Sequence, residues 1–270
     1  MRVAEGEIDL VAISMELVDA VRAAGALALS KFRSPFKSWN KAASSPVSEV
    51  DVAIDEMLRE RLCRPHPDYG WLSEESVDDP ARLDARQVWI VDPIDGTRAF
   101  IGGLNDWAIS AALVEDGRPA VAALFAPVDD ILFLAAAGKG ATLNGVRVSA
   151  SAAQNLDGAR VAGPKRRLDA LAALESRVEL LPKVNSLALR IARVAAGTID
   201  VAFAGPNSHD WDLAAADLIV DEAGAILTDF SGRMVSYNRP NPVHGALVAV
   251  GRGRHQLLIR FLQDHRAAFA

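Results

Sequence analysis

Apolar residues recur at steps of three and four along Leu10, Ile13, Leu17, Val21, Ala24 and Ala28, which predicts an amphipathic opening helix. A polar loop with Ser44, Ser45 and Pro46 follows. Ser48-Glu-Val-Asp51 is then a capping-box pattern before Ile54, Met57, Leu58 and Leu62, so a second helix is expected there. From Trp89 to about Val148 the pattern changes to strands and turns. Val88–Val91, Ala108–Val114, Ala120–Phe125 and Ile131–Ala135 read as strands, cut by Asp116-Gly117 and Pro127, and Asn144-Gly145 reads as a tight hairpin. Pro93 and Gly96 are expected to end the strand at Val91. Beyond about Asp157, candidate strands Ala159–Ala162, Ile199–Phe203, Ala225–Leu227 and Ala246–Val250 alternate with candidate helices Leu168–Ser176, Leu187–Ala196, Leu213–Ala223 and His255–His265. The rhythm predicts an α/β protein with an α+β domain over residues 1–150 and an α/β domain over residues 151–270.

The 270 residues are half hydrophobic, enough for a large core, and carry a net charge of −6 from 29 basic and 35 acidic side chains. No long basic run exists, so neither nucleic acid nor an anionic membrane is an expected partner. No apolar stretch approaches the ~20 residues that span a bilayer. Met1-Arg-Val-Ala-Glu-Gly-Glu7 is too polar and acidic for a signal peptide, and the single cysteine, Cys63, fits a reducing cytoplasm, which is the expected location.

The chemistry gathers in acids. Trp89-Ile-Val-Asp-Pro-Ile-Asp-Gly-Thr97 delivers Asp92 and Asp95 together at the end of an apolar strand. Two such carboxylates repel, and a hard divalent cation such as Mg²⁺ relieves that repulsion. Glu74 and Glu75 follow a short strand ending in Trp71-Leu72 and read, taken singly, as solvated loop acids. Asp51 taken singly closes a capping box, and Asp212 complements a helix start. Cys63 has no histidine–acid arrangement that would make it a nucleophile. The five histidines show no zinc spacing, and Gly138, Gly140 and Gly145 fit hairpin turns better than any phosphate-binding loop.

The acids take on meaning in order: Ser45-Pro-Val-Ser-Glu-Val-Asp51, Ser73-Glu-Glu75, Asp92-Pro-Ile-Asp-Gly-Thr97, then Trp211-Asp212 with Glu222-Ala-Gly224. This order resembles the inositol monophosphatase superfamily of metal-dependent, lithium-sensitive phosphatases, from about Leu17 to about Val250. The resemblance implies an αβαβα layered fold, a homodimer and two to three Mg²⁺ ions. It places Glu74, Asp92 and the Ile94 carbonyl around a first ion, Asp92, Asp95 and Asp212 around a second, and Glu74 near a weaker third. It makes Asp51 and Thr97 the pair that orients and deprotonates the attacking water, with Glu74 counted among the catalytic acids. Gly96 and Thr97 N–H groups would receive phosphate oxygens, and Glu75 would orient the ligands.

The substrate is less sharply written. Members that act on inositol phosphate carry an acid seven residues before the Trp-Asp aspartate, where this chain has Gly205. Phe203-Ala-Gly-Pro-Asn-Ser-His-Asp-Trp-Asp212 looks more like the 3′(2′),5′-bisphosphate nucleotidases, as do Leu72-Ser-Glu-Glu75 and Asn185-Ser-Leu187. The expected substrate is therefore a small soluble phosphate ester, adenosine 3′,5′-bisphosphate, losing its 3′-phosphate. Inositol 1-phosphate and histidinol phosphate are the alternatives. Asn207, His209, Asp95 and Asp212 are expected to line the substrate. Lys165, Arg166 and Arg167 read either as a solvated loop run or as holders of a second phosphate. A phosphatase-fold regulator acting through a protein partner is the rival from another class.

Overall fold

The computed structural model describes residues 8–41, 46–175 and 177–269. The N-terminal residues 1–7, Ser44 and Ser45 of the expected polar loop, and Ser176 at an expected helix end lie outside them. Among the described residues no helix is long and apolar enough to cross a membrane.

Five layers stack as the period-two burial of the strands demands. A seven-stranded sheet runs from Gly70–Ser73, parallel to Gln87–Asp95, through an antiparallel meander of Ala108–Glu115, Arg118–Ala126, Ile131–Ala136, Gly140–Leu143 and Val146–Arg147. Trp89, Val91, Ile109, Leu113, Val121 and Phe125 face one way, into helices Leu10–Lys31 and Glu49–Cys63. Val88, Ile90, Ala112, Val114 and Leu124 face the other way, into Leu187–Ala195 and Asp210–Glu222. Those two central helices are also covered by Ala202, Ala204, Leu227, Leu247 and Ala249 of a second, five-stranded mixed sheet. Its outer residues, Val201, Phe203, Val248 and Val250, pack on Leu168 and Leu171 of Lys165–Leu174 and on Leu258 and Leu262 of Arg252–Asp264. The result is the expected αβαβα sandwich, and its largest core cluster draws on both sheets.

Two local expectations are corrected and a third holds. Pro93 does not end its strand: Asp92 pairs with Ser110 and Asp95 with Ala108, so Pro93 and Ile94 oppose Ile109 alone in a β-bulge. A bulge is where a strand tolerates a residue without an N–H, and it re-aims the neighbouring side chains. The run Lys165-Arg-Arg167 is not a loop but the first turn of a helix. There Lys165 pairs with Asp169 at 2.7 Å, while buried Arg167 donates to the Phe269 carbonyl at 2.6 Å and lies over the Phe230 ring. Arg167 thus anchors the C-terminal turn rather than offering a phosphate site. The hairpin at Asn144-Gly145 forms as expected, both residues having positive φ.

The close approach of the opening helix to the large sheet depends on Gly25. A Cβ there would sit 2.5 Å from the buried Phe125 ring, which Arg22 covers from outside. Alanine gains ~1 kcal/mol of helix propensity but overpacks a closed contact by ~1–3 kcal/mol. Gly25→Ala is expected to lower Tm by a few degrees in calorimetry; an unchanged or raised Tm would show that the layer spacing is not set here.

Candidate metal centre

The bulge places its two acids at the mouth between the sheets. The Asp92 carboxylate accepts the Ile94 N–H at 3.0 Å, tightening the turn, and the Ile94 carbonyl accepts the Thr97 hydroxyl at 3.0 Å. Gly96 follows with φ 99°, in contact range of Asp106 O, Ser186 N and Trp107 Cβ, any of which a side chain would strike. Asp95 then meets the N-terminus of Leu187–Ala195. It accepts the Ala188 N–H at 2.6 Å, the Leu187 N–H at 3.2 Å and the Ser186 hydroxyl. Asp212, in the first turn of Asp210–Glu222, accepts the His209 N–H at 2.6 Å and keeps a fifth of its side chain exposed. Asp92, Asp95 and Asp212 each bring an oxygen within 4.8 Å of the others.

Glu74 and Glu75 flank this trio. The Glu74 N–H donates to the Val91 carbonyl at 3.3 Å, which ties its loop to the acid-bearing strand. Lys41 donates to the Glu74 carbonyl at 3.0 Å and forms an ion pair with the Glu75 carboxylate. Beneath them Asp55 accepts the hydroxyls of Ser73 and Ser76, and Trp71 Nε1 donates to Ser76 Oγ at 3.1 Å. Asp51 does two things at once. Its Oδ2 closes the capping box with the Ser48 N–H and hydroxyl, while its Oδ1 lies 3.1 Å from the Thr97 hydroxyl. The structural and the catalytic readings of this residue are therefore compatible.

Burial is the largest influence on Asp51, Glu74, Glu75, Asp92, Asp95 and Asp212. It pushes Asp92 and Asp212 far above the usual carboxylate range, with neighbouring carboxylates adding to the rise. Glu74 is raised to about 7 by burial, against which Lys41 pulls down. Asp51 and Asp95 are raised less, because hydrogen bonds from Ser48 and Thr97, and from Ser186, Ala188 and Leu187, favour their charged forms. Clustered oxygens that resist ionisation without a counter-charge are a fitting donor set for a hard divalent cation.

Of the expected substrate residues, Asn207 and His209 both lie in the segment leading to Asp212. Asn207 has φ 68° and donates its N–H to the His244 carbonyl at 2.9 Å. The His209 ring stacks on Trp211, 4.5 Å between centroids and 4° from parallel, with about a third of its side chain exposed. Gly205 lies against Pro164, at 3.8 Å from a would-be Cβ. Lys41, Asp55 and Ser186 belong to the surroundings of the site; Lys41 and Asp55 carry no sequence signal of their own, and Ser186 only its place in Asn185-Ser-Leu187. Lys41 sits in an unremarkable polar stretch.

The chain is similar to known proteins in sequence and in fold. Residues 9–267 match the inositol monophosphatase family. Nus factor SuhB of Escherichia coli K12 is 33 % identical over 226 residues, which are 80 % of this chain and 84 % of that protein. Inositol monophosphatase of Dictyostelium discoideum is 32 % identical over 247 residues, 84 % of this chain and 90 % of that one. The crystal structure of extragenic suppressor protein suhB from Bartonella henselae superposes with a TM-score of 0.82 at 28 % identity, covering 93 % of this chain and 98 % of its own. An IMPase of Thermotoga maritima gives 0.81 at 26 %, covering 95 % and 98 %. With its layers, its ordered acids and these likenesses in agreement, the chain belongs to the inositol monophosphatase family of phosphatases.

Proposed function

We propose that this phosphatase is a Mg²⁺-dependent phosphomonoesterase that removes the 3′-phosphate of adenosine 3′,5′-bisphosphate with an activated water. The observation that carries the hydrolytic reading is the convergence of Asp92, Asp95 and Asp212 within 4.8 Å beside the Asp51–Thr97 contact. Glu74, Asp92 and the Ile94 carbonyl would hold one ion, and Asp92, Asp95 and Asp212 a second, with Glu74 near a third. Bound divalent cations supply the charge that acidifies a water and offsets the entering and leaving oxygens. Thr97 has one proton and two acceptors in reach, Asp51 Oδ1 and Ile94 O. Donating to Asp51, its oxygen is left to accept from the attacking water, so that the water's proton would pass to Thr97 as the Thr97 proton passes to Asp51, the general base. Ser48 fixes the carboxylate for this task. Gly96 and Thr97 N–H groups receive phosphate oxygens, and the Lys41–Glu75 pair steadies the Glu74 loop.

For the substrate, Gly205 supplies no carboxylate for polyol hydroxyls, and the flat His209–Trp211 stack offers a face to a planar base. The names of the relatives favour inositol 1-phosphate instead, so it is the direct competitor, with histidinol phosphate behind it. A second reading, action through a protein partner, draws support from relatives named Nus factor. It predicts a phenotype that survives Asp92→Asn. Division into 1–150 and 151–270 gives most ligands to the first part and Asp212 with the specificity segments to the second. A cytoplasmic homodimer completes the proposal.

Phosphate release from adenosine 3′,5′-bisphosphate, inositol 1-phosphate, fructose 1,6-bisphosphate and histidinol phosphate ranks the substrates. The nucleotide is expected to lead, and an inositol rate far above it would overturn that choice. Asp95→Asn is expected to keep native circular dichroism and lose roughly three powers of ten in turnover. Ordinary turnover in that variant would remove the metal assignment.

Glu74 also sets a pH dependence. Its folded pKa of about 7 lies above the ordinary 4.5, so in the metal-free protein its stabilising contribution is complete below pH 4.5 and is lost as pH rises through 7. A cation competes with that proton. The Mg²⁺-induced rise in Tm is expected to be small at about pH 5.5 and larger at about pH 8, measured by calorimetry against EDTA. Equal rises at both would exclude Glu74 from the ion's surroundings.

A further inference from the structure

Behind the Trp211-Asp212 turn lies a buried polar pair that the hydrolytic machinery does not use. His244 Nε2 sits 2.6 Å from Asp210 Oδ1, with side chains only 5 % and 0 % exposed. The second Asp210 oxygen accepts the Asn238 N–H at 2.7 Å. His244 Nδ1 faces the Arg239 guanidinium at 3.4 Å. A guanidinium can only donate, so Nδ1 keeps its lone pair and Nε2 carries the proton that Asp210 accepts. Asp210 does not cap its own helix, because the His209 N–H goes to Asp212.

The pair's connections all lead to one segment. His244 pairs with Ser208 and Val243 with His209 in a short antiparallel ladder, and the His244 carbonyl accepts the Asn207 N–H. The Asp210 N–H donates to the Pro242 carbonyl at 2.9 Å. On the far side, Asn238 accepts from Arg82 at 2.7 Å and donates to the Arg82 carbonyl at 3.0 Å. Arg82, 2 % exposed, grips Asp78 through Nε at 2.6 Å and Nη2 at 2.9 Å. Asp78 is in the loop that begins with Glu74. A bridge therefore runs from the Glu74 loop, through residues 238–244, to the segment carrying Asn207 and His209.

Burying a histidine–carboxylate pair is costly in desolvation, and apolar residues would serve stability as well. What the pair adds is register. We propose that Asp210 and His244 are positioning residues for the leaving-group side of the site, holding Asn207 and His209 at a fixed height above the metal ligands. The inference rests on the phosphatase reading given above.

The test compares wild type with His244→Ala, His244→Gln and Asp210→Asn on the best substrate of the panel, alongside Mg²⁺ titration followed by Tm. His244→Ala is expected to raise KM by about ten-fold with kcat within about three-fold, and to leave the Mg²⁺ midpoint unchanged. His244→Gln retains a donor toward Asp210 and is expected to restore KM. Should His244→Ala not fold, the other two carry the comparison: Asp210→Asn loses one acceptor for two donors, so its KM rises while that of His244→Gln stays low. An unaltered KM in the Ala and Asn variants, or a shifted Mg²⁺ midpoint with KM unmoved, would overturn the positioning role alone. A wild type without turnover on any ester would instead sink the phosphatase reading.

Discussion

Carboxylates crowded out of water repel one another, and the fold is organised around making that crowd tolerable. Asp51, Asp92 and Asp212 each accept a backbone N–H, from Ser48, Ile94 and His209, while Asp95 accepts Leu187 on one oxygen and Ala188 on the other. Three of those four arrangements involve helix N-termini, those of Glu49–Cys63, Leu187–Ala195 and Asp210–Glu222. Helix dipoles place positive potential there, each offsetting part of an anion's charge by roughly 0.3–1 kcal/mol or more when partly buried. Arg190, buried one turn into the second helix, adds a full positive charge that favours ionised Asp95. What remains is the negative potential of Asp92, Asp95 and Asp212, whose oxygens converge within 4.8 Å, where a cation can bind.

The layers follow from this need. Leu187–Ala195 and Asp210–Glu222 reach the site from between the two sheets, and Glu49–Cys63 reaches it from the outer face of the large sheet. The large sheet contributes its own acids through the bulge at Pro93, because a regular strand would turn Asp92 and Asp95 to opposite faces. The Glu74 loop comes from the neighbouring parallel strand, and Lys41 crosses from outside the sheet to hold it. The clustered acids thus come from elements distant in sequence but packed together.

Local information was legible in the chain and non-local information was not. The capping box at Ser48–Asp51 and the positive-φ turn at Asn144-Gly145 are written within four residues, and both formed. The αβαβα architecture and the ordered acids were legible through family resemblance. The bulge was hidden because Pro93 normally ends a ladder, and only the pairing with Ser110 and Ala108 reveals that the strand resumes. Lys165-Arg-Arg167 resembled an exposed basic run because nothing nearby announces Phe269 as the partner of Arg167. Ser186 stands out in Asn185-Ser-Leu187, but its bond to Asp95, 91 residues earlier, is visible only in the fold.

The central claim is that these carboxylates are an ion-binding set rather than a strained accident of packing. Anomalous diffraction from crystals grown with Mn²⁺ in place of Mg²⁺ tests it directly. Manganese peaks are predicted within coordination distance of the carboxylates of Asp92, Asp95 and Asp212, one of them shared with Glu74. Crystals without a peak between these residues, or with manganese bound only on other surfaces, would contradict the account.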